Sequence, residues 1–139
     1  MRWTGPEQWH VTLRFLGSLD VAVAVAALDR LRGSPGARAE LGLDVVRLGR
    51  EVLALPVDGL GGLAAAVDVA FDGLGQATEQ RTFRGHLTLC RGKAVRAGLV
   101  GRPPDRMSWP VESVALVRSH LGRDNARYET VASVELASP

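Results

Sequence analysis

The 139-residue sequence predicts an α+β fold of mostly antiparallel sheet. Three observations lead there. Two stretches repeat apolar residues at helical spacing, several short stretches alternate in pairs like hairpins, and strands and helices are mixed along the chain. The length suits one domain over 1–139, and 46% hydrophobic against 23% charged residues is ordinary for a globular protein.

In chain order, Trp9 to Leu16 (WHVTLRFL) reads as a strand ended by Gly17-Ser18. Asp20 is a helix N-cap, and Val21 to Arg32 follows as a helix with Val21, Val25, Leu28 and Leu31 as its apolar stripe. Gly33 to Gly36 is a loop. Glu40 to Leu48 alternates, and Val52 to Val57 is its hairpin partner. Leu63, Val67, Phe71 and Leu74 mark a second helix. A loop near Gly75 to Arg84 leads into the strand HLTLCR. Residues 92–110 read as loop with one short helix, and Val111 to Arg118 with Tyr128 to Leu136 as a closing strand pair.

Composition narrows the function classes. No apolar run reaches the ~20 residues that a bilayer-crossing helix needs, and the first ten residues lack a secretory apolar region. With the lone Cys90, this predicts a cytoplasmic protein without disulfides or membrane partner. Lys93 is the one lysine against sixteen arginines, a bias that codon usage explains and that phosphate recognition would also favour. A net charge of +2 gives no support to a strong duplex-binding surface.

One pattern occurs twice, His10-Val11-Thr12-Leu13 and His86-Leu87-Thr88-Leu89, and it takes up two of the three histidines. On a strand, His and Thr at i and i+2 share one face while the residues between them face a core. Two such strands side by side would gather two imidazoles and two hydroxyls. Displacement at phosphorus needs a base for the incoming water and an acid for the departing oxygen, and two imidazoles can supply both near neutrality. The hydroxyls suit the non-bridging oxygens. No cofactor is expected, and two histidines without carboxylate or thiolate partners make a poor zinc site. By the same parity Arg14 shares the groove face of His10 and Thr12, either as a phosphate- or RNA-binding residue or as a surface arginine without a role, Phe15 turns to the core, and Cys90 joins the face of His86 and Thr88. His120 and Tyr128 read as a surface histidine and a strand-edge tyrosine.

HVTLRFLG at 10–17 and FRGHLTLCR at 83–91 resemble the two HxTx motifs of the 2H phosphoesterases, in particular the RNA 2′,3′-cyclic phosphodiesterase branch (LigT/ThpR type, 2′–5′ RNA ligase-like). RWTGPEQW before the first motif and WPVESVALVRSHLG near the C-terminus extend the resemblance over nearly the whole chain. It implies a bilobal fold of two mostly antiparallel sheets with pseudo-two-fold symmetry, helices outside and a groove between the lobes. It also implies hydrolysis of an RNA 2′,3′-cyclic phosphate end to a 2′-phosphomonoester, with His10 as proton donor to the 3′ oxygen and His86 as acceptor from water. Thr12 and Thr88 would hold the phosphate, Arg91 would contact it, and no obligate protein partner is expected. Two features depart from the family. Gly85 stands where proline is common, and the chain starts close to its first motif, without the usual N-terminal strand and helix, so an open sheet edge is expected. Two other functions fit the same residues: a catalytically weak RNA- or nucleotide-binding module, and a 2H enzyme for another cyclic nucleotide or a 2′–5′ linkage.

Overall fold

The structure is a computed structural model that describes residues 2–3, 9–42, 44–48, 51–77, 83–91, 107–121 and 126–138, without the side chains of 2, 3, 90, 91, 121 and 126. Among the described residues there are two antiparallel sheets and two helices. The strands of the larger sheet are β1 (Arg2–Trp3), β2 (Ala37–Leu41), β3 (Val46–Leu48), β4 (Val52–Asp58), β5 (Gly85–Arg91) and β6 (Ser108–Val111). They run in the order β1-β5-β4-β2-β6, with β3 also paired to β4. The smaller sheet is a hairpin of β7 (Ser113–Leu121) and β8 (Ala126–Glu135).

Helix α1 covers Val21–Asp29, and the Asp20 carboxylate accepts from the Ala22 and Val23 amides at 3.0 and 3.2 Å, the cap that the sequence predicts. The buried stripe differs from the expected one. Ala24, Ala27, Leu28 and Leu31 are buried, whereas Val21 and Val25 are over a third exposed. This helix is apolar all round, so its valines do not choose the face. The alanines do, because their small side chains let the helix approach its neighbours closely. Helix α2 covers Gly61–Ala70 and buries Leu63, Val67 and then Phe71, with Leu74 half-buried, as the spacing predicts.

Two core clusters result. One joins both helices to Val134 and Leu136, with Val114, Leu116 and Ala132 of the hairpin packed against it. The other comprises Ala39, Leu41, Leu55, Val57 and Leu60. Leu13, Ala37 and Val111 pack against both and tie the two together.

Several expectations need correction. Residues 9–19 take no helix or strand, and Leu13 lies at a bend. The β-branched and aromatic run that suggested a strand reflects packing on a half-buried surface, which needs no ladder. The expected strand over 40–48 is divided into β2 and β3, and β2 pairs with both β4 and β6. Ser108–Val111 is a strand, while 92–106 lies outside the described residues. The edge strand β1 pairs with only Cys90 and Arg91, so among the described residues Gly85–Leu89 has a partner strand on one side alone.

Candidate active site

The two HxT segments reach the site by different means. The second lies within β5, laddered to β4 with His86 opposite Pro56 and Thr88 opposite Ala54. The first is held by packing. Yet both insert their intervening residues at one place: Val11, Leu13, Leu87 and Leu89 all pack against the Leu55–Val57 cluster. Burial still alternates over the first motif, with His10 and Thr12 exposed and Val11 and Leu13 half-buried.

Beyond Leu13 the parity fails. The bend turns Arg14 inward and Phe15 outward, reversing the expectation for each. The Arg14 side chain is 6% exposed, and its Nη2 donates to the carbonyls of Leu74 and Gln76 at 3.1 Å each. Nη1 lies 3.5 Å from the Asp68 carbonyl and 3.7 Å from its carboxylate. Arg14 therefore tethers the first-motif segment to the last turn of α2, through Asp68, and to the chain that follows the helix, through Leu74 and Gln76. Its guanidinium is turned to these carbonyls and away from the exposed face that His10 and Thr12 share. Gly75 completes this junction: at φ +62° a Cβ would collide with the Leu16 carbonyl oxygen, which accepts from the Gln76 amide at 2.7 Å. Phe15 is 67% exposed, so it is no core residue.

In the second motif, His86 Nδ1 lies 3.3 Å from the carbonyl oxygen of Arg84. A carbonyl can only accept, so Nδ1 is the donor and the neutral ring carries its lone pair on Nε2. Past Thr88 the ladder shifts: Ala54 pairs with Thr88 and Leu53 with Cys90, leaving Leu89 as the extra residue of a β-bulge. The face expected for Cys90 concerns a side chain outside the described atoms. Arg91 pairs with Val52 through its backbone, and its side chain lies outside the described atoms.

The hairpin adds a contact that parity did not suggest. The His10 ring meets the Tyr128 ring edge-to-face, with centroids 4.8 Å apart and planes at 62°. The first motif thus lies between the sheets, with Val11 and Leu13 on the core of the larger and His10 against a strand of the smaller. His120 is half-buried on β7, its Nε2 3.7 Å from the Glu129 carboxylate, not a free surface histidine. A 430 Å³ cleft between the helix ends, lined by Arg30, Leu31, Ser34, Ala66, Val69 and Ala70, includes neither motif. Among the described residues no helix is long and apolar enough to cross a membrane, and no three His, Cys, Asp or Glu side chains gather as a metal site requires.

No protein-family model matches the chain, and no curated protein matches it by sequence. Solved structures do. A phosphoesterase crystal structure is 28% identical, with 97% of this chain covering 80% of that one at a TM-score of 0.74. The fold is that of the LigT-like phosphoesterases. E. coli LigT complexed with 3′-AMP is 29% identical, covering 97% of this chain and 80% of LigT at a TM-score of 0.74. TT0787 of Thermus thermophilus is 27% identical, covering 96% and 81% at 0.71. The LigT-like, 2H phosphoesterase fold of this chain supports a phosphodiesterase-type enzyme.

Proposed function

We propose that this chain hydrolyses RNA 2′,3′-cyclic phosphate ends to 2′-phosphomonoesters, with His10 and His86 as the acid–base pair. The observation that carries the reading is the pair of HxT segments seated on one core cluster, one of them with Nε2 of its histidine left as the acceptor. In the reaction, Nε2 of His86 takes a proton from water as its oxygen attacks phosphorus. The bond from phosphorus to the 3′ oxygen breaks, and the His10 imidazolium protonates that oxygen. The products are a 2′-phosphate and a 3′-hydroxyl, and solvent restores both imidazoles. Thr12 and Thr88 hydroxyls donate to the non-bridging oxygens, and Arg91 adds a guanidinium, whose fork suits phosphate. These groups need no metal for the steps given. That E. coli LigT has been crystallised with 3′-AMP and with phosphate supports a nucleotide-sized, phosphate-bearing ligand for the same fold. The substrate would be an RNA end, since a 2′,3′-cyclic phosphate can form only at a 3′ terminus.

The test is hydrolysis of a short RNA ending in a 2′,3′-cyclic phosphate, with the phosphate position of the product read by phosphorus NMR. A 2′-phosphate formed by the native chain and not by the His10→Ala/His86→Ala double variant is expected. A 3′-phosphate product, or no turnover by a folded native chain, would overturn the proposal.

A further inference from the structure

We infer that Tyr128 is a positioning residue for His10, aimed at it by a β-bulge; this rests on the reading of His10 as the acid. The register of the hairpin carries the argument. On β7, Val114 and Leu116 face the helices, while Ala115, Val117 and Ser119 point the other way. Val134 pairs with Val114 and Ala132 with Leu116, so these β8 residues share the helix-facing side. Next, Thr130 pairs with Val117 and Tyr128 with Ser119, leaving Val131 as an extra residue on β8. That residue flips the parity. With an unbroken ladder Tyr128 would lie opposite His120, on the side of Leu116 and Ala132. With the bulge it joins Val117 and Ser119 on the outward side, and there its ring meets His10. Bulges recur beside active sites for this purpose.

The device answers a need of the first motif. His86 has a β-ladder beneath it, and its Nδ1 donates to a backbone carbonyl. His10 is exposed on a segment outside any strand, and the Tyr128 ring is a tertiary neighbour that bears directly on its imidazole. An edge-to-face ring contact restricts both the plane and the position of the imidazole. Proton delivery to the leaving oxygen needs that restriction, because reacting atoms must be held near hydrogen-bond distance. The interacting group is the aromatic ring and not the hydroxyl, so phenylalanine should serve equally well.

The experiment compares Tyr128→Phe with Tyr128→Val in the full chain; Tyr128→Thr, also β-branched, replaces the valine variant if that one fails to fold. Two readouts are taken. First, NMR follows the ring-proton resonances of His10, assigned by their loss in His10→Ala. They should keep their positions in Tyr128→Phe and move in Tyr128→Val, with those of His86 unmoved in both. Second, with 2′,3′-cyclic AMP, kcat should fall about 3- to 10-fold in Tyr128→Val, with KM nearly constant, and recover in Tyr128→Phe. His10 resonances unmoved by the valine variant, or native kcat in that variant, would overturn the inference. So would a phenylalanine variant as impaired as the valine one. If His10→Ala itself turns over at the native rate, the two-histidine reading fails, and the NMR comparison still decides whether the Tyr128 ring lies against His10.

Discussion

The Nδ1 of His86 and the carbonyl oxygen of Arg84 lie 3.3 Å apart, a spacing that assigns the proton of the neutral ring to Nδ1 and its lone pair to Nε2. The orientation comes from backbone two residues upstream, so it is carried by the start of β5 itself. A base held this way should be lost completely on truncation. His86→Ala and His10→Ala are each expected to lower kcat for a 2′,3′-cyclic phosphate by at least about 10²-fold, the usual worth of a general acid or base. Steady-state rates of the two single variants check this, and native rates in either would contradict the assigned roles.

The pH dependence follows from needing one neutral and one protonated imidazole together. The rate should fall on both sides of an optimum, because acid protonates the base and alkali deprotonates the acid. A bell-shaped kcat/KM profile, insensitive to added EDTA, is the expected result. Activity abolished by EDTA and restored by a divalent metal would contradict the proposed steps.

Thr12 and Thr88 are expected to act through their hydroxyls, one exposed beside His10 and one half-buried on β5. Thr88→Val keeps the β-branched shape and strand preference and removes the hydroxyl. Steady-state kinetics should show a loss of about 10²-fold in kcat, in line with deletion of one oxyanion donor.

Arg14 should matter for stability first. Arg14→Ala would leave the Leu74 and Gln76 carbonyls without their donor and remove the guanidinium from the end of α2. The expected cost is about 1–3 kcal/mol, read by urea unfolding. Arg14→Lys should recover only part of it, because one ammonium cannot reproduce the fork that spans these acceptors.

At the other end of the same segment, Asp20→Ala removes the two N-cap bonds of α1. A loss of about 1 kcal/mol is expected, with Asp20→Asn close to native.

Much of this architecture is legible from residue order alone. The Leu63–Val67–Phe71 spacing finds α2, Asp20 finds the start of α1, and HLTLCR finds β5. The repeated His-x-Thr pattern finds both candidate histidines, and alternation explains why Val11, Leu13, Leu87 and Leu89 are drawn to one core. What escaped the reading shares a cause. Parity is a local rule that fails wherever one residue is added or the chain bends. The bend at Leu13 exchanged the expected places of Arg14 and Phe15, the extra Leu89 breaks the ladder register of β5, and the extra Val131 moved Tyr128 to the other side of its strand. None of these residues has a composition that marks a bulge or bend, so the His10–Tyr128 contact had no signal in the sequence.

The unequal anchoring of the two motifs has a consequence for how the molecule opens. Amides of Gly85–Arg91 belong to a strand pair, whereas those around His10 to Leu13 lie outside any ladder. Local fluctuations should therefore release the first motif at a lower free energy than they release the second. Hydrogen exchange would be fast around His10 and slow in β5. On raising urea, half of the candidate site should come apart while both sheets still stand, so catalysis would fade before circular dichroism records any melting.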